Sequence, residues 1–214
     1  MERSIRNVPG IARAMRGILG AAALAMAGSV AATPLWAGEP IRQVNVIETA
    51  VKLAPRRPLI AHVRFCLFYA DQCVVRGDRR DPARSAADHF NEALQVNWAV
   101  NRAITPRPDE GFDSWDVDVT EGDCEDYALQ KRKDLIALGW PTSALRIAIA
   151  RTTDGLYHAV LLVEIGGVDY ALDNLTSRVL PWSKTPYTFL MLQDRADPRA
   201  WHTVTHELRY ARAN

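Results

Sequence analysis

The pair Gly166-Gly167 constrains this chain more than any other feature. It separates two apolar runs, Leu156–Ile165 and Val168–Asn174. Two glycines between such runs make a two-residue hairpin turn, which needs positive φ at its centre. A turn of that length fixes the register and places Val160 opposite Asp173. Alternate residues share a face of a strand, so His158 projects on the side of Val160 and Asp173. Asp173 is then a diagonal neighbour of His158, about 7–8 Å away at the backbone and within side-chain reach. There a carboxylate can accept from one imidazole nitrogen, fix the tautomer and leave the other nitrogen basic. A surface histidine beside an unrelated acid is the competing reading, and a longer turn would favour it.

The rest of the chain surrounds this hairpin with an α+β pattern. Ala144–Arg151 alternates and reads as a strand, turned by Thr153-Asp154-Gly155. Leu156–Ile165 is apolar on both faces, which predicts a central strand. Upstream, Cys124 opens a helix that ends at Leu138, with Gly139 in the C′ position and Pro141 just beyond. An earlier helix is expected from Asp81-Pro82, an N-cap followed by proline, to about Ile104. Its apolar stripe would be Ala83, Ala87, Phe90, Leu94 and Trp98. Thr105-Pro106-Arg107-Pro108 stops it. Residues 38–60 read as an extended arm with a strand at Val44–Ile47. The C-terminal segment carries Trp182, Tyr187 and Trp201, with a strand or helix near Thr203–Ala211. Helices first and antiparallel strands later make an α+β domain.

The first 37 residues do not belong to that domain. Arg3, Arg6, Arg13 and Arg16 precede an apolar run from Ile18 to Ala32, and Ala37 precedes Gly38-Glu39-Pro40. This is the form of a secretory signal peptide. The run falls short of the roughly 20 residues that span a bilayer, although an uncleaved anchor is the alternative. Residues 38–214 are expected as one mature domain, periplasmic or secreted, with no membrane insertion once the leader is gone. Taking the leader's four arginines and one glutamate from the chain's 26 basic and 25 acidic residues leaves a net charge of −2. That balance gives no reason to expect nucleic acid or an anionic membrane as a partner.

Cys66, Cys73 and Cys124 are the only cysteines. In an exported protein the two that lie seven apart suggest a local disulfide, with Cys124 left as a free thiol. Two reduced core cysteines are the alternative. At a helix start the unpaired N–H groups and the dipole lower a thiol's pKa, which suits a nucleophile. A buried core cysteine competes, because Cys124, Ala128, Leu135 and Leu138 share one helical face.

The acids around Cys124 act in the other direction. Asp123, Glu125 and Asp126 would oppose the thiolate by like-charge repulsion. Either they cap the helix and complement its dipole, or they hold a hard cation such as Ca²⁺ that cancels the repulsion. Asp113, Asp116 and Asp118 in the preceding loop could add ligands. For an oxyanion, the N–H of Cys124 is a natural donor, with Asn97 or Trp115 as a second. His62, His89, His202 and His206 have no comparable partner in the sequence pattern.

Three blocks carry a family resemblance: Glu121-Gly122-Asp123-Cys124-Glu125-Asp126-Tyr127-Ala128, Leu156-Tyr157-His158-Ala159-Val160-Leu161, and Tyr170-Ala171-Leu172-Asp173-Asn174-Leu175. Together they resemble the bacterial transglutaminase-like cysteine proteinases, the family of LapG-type periplasmic proteases, over roughly residues 60–190. The resemblance implies a papain-like transglutaminase core. It implies Cys124 as nucleophile, His158 as general base and acid, and Asp173 as the group orienting the imidazole. It also implies calcium bound by acids flanking the nucleophile, at Asp123 and Glu125 with Asp126 beside them. A likeness to the LapG type also implies a protein substrate, with a large cell-surface protein and an inner-membrane receptor as the candidate substrate and regulator. The expected activity is peptide-bond hydrolysis. Acyl transfer to amines with the same triad, and a non-catalytic calcium-dependent binding module, are the alternatives. The Cys66/Cys73 pair is not a feature that the resemblance supplies.

Overall fold

The structure, a computed structural model, describes residues 51–205 of the 214. The expected leader, the strand at Val44–Ile47 and everything after Thr205 lie outside the described residues. Seven strands form one sheet in the spatial order β1 (Val51–Arg56), β9 (Trp201–Thr205), β8 (Thr188–Gln193), β4 (Leu145–Arg151), β5 (Tyr157–Ile165), β6 (Val168–Leu172) and β7 (Leu180–Pro181). Their pairings are antiparallel. The helices are α1 (Ile60–Phe68), α2 (Ala86–Ala103) and α3 (Cys124–Ala137). A short parallel pair, β2 (Thr105–Pro106) with β3 (Glu121–Gly122), closes the loop between α2 and α3.

The Gly166-Gly167 turn has φ of 58° and 83°, and the register across it pairs Leu161 with Leu172 and Ile165 with Val168. This is the two-residue hairpin expected, and β5 is central, between β4 and β6. Both faces of β5 are covered. Leu161 and Val163 pack with Leu129, Leu135 and Tyr127 of α3, while Val160 and Leu162 pack with Phe189 and Leu192 of β8. That is why Ala159–Val163 is apolar at every position rather than at alternate ones.

Helix α3 ends as read. Gly139 has φ of 97°, its N–H donates to Ile136 O at 3.0 Å, and the Trp140 N–H donates to Leu135 O at 3.0 Å. The two bonds form a Schellman closure that only glycine adopts without strain.

Helix α2 differs from expectation at its start and in its buried face. It begins after Ser85, not at Asp81. The Asp88 N–H donates to Ser85 Oγ at 3.2 Å and the Ser85 N–H donates to Asp88 Oδ2 at 2.9 Å, a reciprocal capping box. Asp81 instead accepts from the Ala83 N–H at 2.9 Å in the preceding turn. The face turned to the core is Ala93, Val96, Asn97 and Val100, while Trp98 is 42% exposed. Strand β8 was not foreseen, because its run Thr188–Gln193 carries no alternation.

Candidate active site

Cys124 is the first residue of α3, and the residues before it set its place. The capping carboxylate is Asp126. Its Oδ2 accepts from the Asp123 N–H at 3.3 Å and its Oδ1 from the Asp116 N–H at 2.8 Å. Both oxygens are thus committed to backbone, and Asp126 stands outside the groups of acids close enough to share an ion. Gly122 makes room for it: a Cβ there would lie 2.2 Å from Asp126 Oδ2 and 2.9 Å from its Cβ. Gly122→Ala should therefore displace the cap beside the thiol and cost roughly 1–3 kcal/mol, as overpacking does. Urea unfolding of the variant measures this.

On the other side of the thiol lies the hairpin. The Ala159 N–H donates to the Cys124 sulfur at 3.3 Å. His158, the preceding residue, is buried, and its Nε2 lies 2.8 Å from Asp173 Oδ1. Burial alone would raise the Asp173 pKa. Hydrogen bonds from His158, Tyr187 and the Leu175 N–H outweigh it and hold the carboxyl below its usual value. An ionised carboxylate only accepts, so Nε2 is the donor and Nδ1 keeps the lone pair. Tyr187, which the sequence placed in the C-terminal segment without a role in the site, donates its hydroxyl to Asp173 Oδ2 at 2.5 Å and sets its ring edge-on to the imidazole, 5.4 Å between centroids. Asn101 fastens the same residue from α2, donating to the Asp173 carbonyl at 2.7 Å.

The thiol is held neutral. Burial pushes the Cys124 pKa up to about 12, and the charges of Glu125 and Asp123 add to the rise. The Cys124 S–H donates to Glu125 Oε2 at 3.4 Å. Glu125 is itself raised well above the carboxylate range, first by burial and then by Asp123. Ligand oxygens of Asp109, Asp113 and Glu125 lie within 4.8 Å of one another, and Asp123, Cys124 and Glu125 form a second such group. Glu125 Oε1 and Asp123 Oδ1 are buried without a hydrogen-bond partner among the described residues. Buried, unpaired carboxylate oxygens gathered in this way fit a hard, oxygen-seeking cation. Asp113 was among the loop acids considered from sequence, and Asp109 was not. Asp116 and Asp118 are otherwise engaged, Asp116 by the Tyr69 hydroxyl at 2.8 Å and Asp118 by Lys133.

Cys124, His158, Asp123, Glu125 and Asp113 all line one cavity of about 900 Å³, whose wall includes Trp115. Asn97 is fully buried in the α2 face and is not in that wall, which removes it as an oxyanion donor. The other described histidines have structural roles. Trp201 donates to His62 Nδ1 at 3.2 Å, and His89 sets an edge on Trp140. His202 does have a carboxylate partner, Asp194 at 2.8 Å, contrary to expectation. The free thiol, however, accepts from the N–H of Ala159, the residue after His158, and shares a cavity wall with His158. His206 lies outside the described residues. Cys66 and Cys73 form the expected disulfide, with Cα atoms 5.5 Å apart.

Residues 52–208 match the family model of the bacterial transglutaminase-like cysteine proteinases, BTLCP. The chain belongs to that family. Among solved structures it is similar to calcium-bound LapG of Legionella pneumophila, with 28% identity and a TM-score of 0.45 over 50% of this chain and 65% of that one. It is also similar to the EGTA-treated form of the same protein, with 22% identity and a TM-score of 0.42 over 64% of this chain and 83% of that one. The first of these matches thus spans less than two thirds of the LapG chain. None of the curated proteins compared with the chain matches it. The α+β architecture, with the helix that carries Cys124 on an antiparallel sheet, agrees with family membership.

Proposed function

We propose that the chain is an exported cysteine endopeptidase acting on protein substrates. Cys124 is its nucleophile, His158 its general base and acid, and Asp173 the group that orients the imidazole. The observation that carries this reading is the His158–Asp173 pair set beside the cavity into which Cys124 opens. Nδ1 of His158 takes the thiol proton. The thiolate forms a C–S bond to the peptide carbonyl, and charge moves to the carbonyl oxygen beside the Cys124 N–H. As the C–N bond breaks, the imidazolium gives its proton to the leaving amine. Water, deprotonated by Nδ1, then attacks the thioester, and the C–S bond breaks to return the thiol.

Asp109, Asp113, Asp123 and Glu125 are the residues we assign to a calcium ion. A cation held by these residues would supply positive charge that offsets the carboxylates facing the sulfur. Asp126 keeps its capping role in this reading. On the family resemblance, the substrate we propose is a cell-surface protein and the regulator an inner-membrane receptor. A local disulfide suits an oxidising compartment, which supports a periplasmic or secreted mature chain of residues 38–214. Among the described residues no helix is long and apolar enough to cross a membrane.

The test is digestion of a protein mixture by calcium-loaded enzyme, with new N-termini counted by mass spectrometry. Cleavage should vanish in Cys124→Ala. Equal cleavage by that variant rejects the enzymatic reading. Incorporation of a labelled amine into the mixture, without new N-termini, would reassign the activity to acyl transfer.

A further inference from the structure

The floor of the cavity is a single cross-strand row. Ile149 of β4 pairs with Ala159 of β5 on one side and with Met191 of β8 on the other, and Met191 pairs with Thr203 of β9. All four line the cavity, and the row starts at the residue whose N–H reaches the Cys124 sulfur. A substrate side chain leaving the scissile bond across the sheet therefore meets an apolar strip, Ala159–Ile149–Met191. Two residues along β4, on the same face, stands Arg151, paired with Tyr157. Its guanidinium lies 5.1 Å over the Tyr157 ring, and its Nη2 donates to the Tyr157 hydroxyl at 3.2 Å. The ring braces an exposed cation that no carboxylate among the described residues pairs with. The cavity's acids, Asp113, Asp123 and Glu125, gather around the thiol, and its other cation is Arg56.

We propose that Arg151 is a specificity residue of this cleft, selecting an acidic side chain in a substrate segment whose neighbouring apolar side chain lies on Ile149 and Met191. The proposal rests on the peptidase reading for its consequence but not for its binding chemistry. Arg151 is one strand over and two residues along from Ala159, about 8 Å at the backbone. An extended peptide rises about 3.3 Å per residue, so the acid falls roughly two or three residues from the bond at the sulfur. A guanidinium braced by a ring and its hydroxyl offers a carboxylate N–H donors and keeps little rotamer entropy to lose.

The experiment uses the full calcium-loaded chain carrying Cys124→Ala, so that peptides bind without turnover. The probes are acetylated decapeptides of alanine and valine in which one Asp, or one Lys, is stepped through each position. Titration by fluorescence anisotropy should show, at one position, the Asp peptide binding at least about tenfold tighter than the Lys peptide. Adding Arg151→Glu should reverse the order, and raising the salt should shrink the ratio. No measurable binding of any peptide, no Asp preference, or a ratio unmoved by Arg151→Glu would overturn the proposal. Cleavage of the same peptides by the unaltered protein is scored separately. A preference that reverses without cleavage retains the cleft chemistry and rejects the peptidase, whereas cleavage without preference does the opposite.

Discussion

Calcium added to metal-free protein should raise the rate at which iodoacetamide alkylates Cys124 at pH 8 by at least about tenfold, since each pK unit changes the thiolate fraction tenfold. With its pKa near 12, the thiol starts almost wholly protonated. Burial persists when an ion binds, but the repulsion from Glu125 and Asp123 does not. The same ion should leave a signature in stability. Burial and Asp123 raise the folded-state pKa of Glu125 above its ordinary 4.5. A raised carboxyl favours the fold below the unfolded pKa, and that advantage is lost as pH climbs. A cation replaces the proton, so the gain in Tm from calcium should grow from pH 5 to pH 8. Asp113→Ala and Asp123→Ala should remove both effects. Calorimetry in calcium and in EGTA checks the second without any substrate, and a Tm blind to calcium at both pH values would reject the ion site.

Asp173→Asn should lower kcat by roughly 10³–10⁴ while leaving KM within a few-fold, the scale seen when the orienting acid of such a triad becomes an amide. The cause is the tautomer. A carboxylate holds the proton on His158 Nε2, 2.8 Å away, and so keeps the lone pair on Nδ1. An amide can instead present N–H to Nε2 and drive the proton to Nδ1, where it blocks uptake from the thiol. Tyr187→Phe removes only a donor to Asp173 Oδ2 and should cost much less, about tenfold. Steady-state kinetics on folded variants decide it. An Asp173→Asn enzyme within tenfold of the parent would remove the orienting role.

Local rules made half of this site readable. The two-glycine turn fixed the register, which alone brought His158 and Asp173 together, and the Cys124 helix announced both ends through Asp123 and Gly139. These are contacts within one hairpin or one helical turn. What stayed hidden depends on chain closure. Tyr187 comes fourteen residues after Asp173, past a strand, and no spacing ties a tyrosine there to that carboxylate. Asp109 meets Glu125 only because β2 and β3 pair and fold the loop back. Asp126 looked like its neighbours in sequence, and only the Asp116 and Asp123 N–H groups separate its role from theirs. Helix α2 misled because Asp81-Pro82 and Ser85-Ala86-Ala87-Asp88 are both start signals, and the one that satisfies two backbone N–H groups prevailed.

The Cys66–Cys73 bridge sits one turn from Tyr69, whose hydroxyl reaches Asp116, the next-but-two neighbour of Asp113. His62, in contact with Cys66, sets its ring against Trp115. Base and orienter are bolted to a seven-stranded plate, whereas the acid-bearing segment takes its tension from a small knot of sulfur and aromatic rings at its flank. Loosening that knot would leave the imidazole aimed as before and slacken only the acids proposed to hold calcium, so wear from a reducing environment should first appear as a greater demand for calcium.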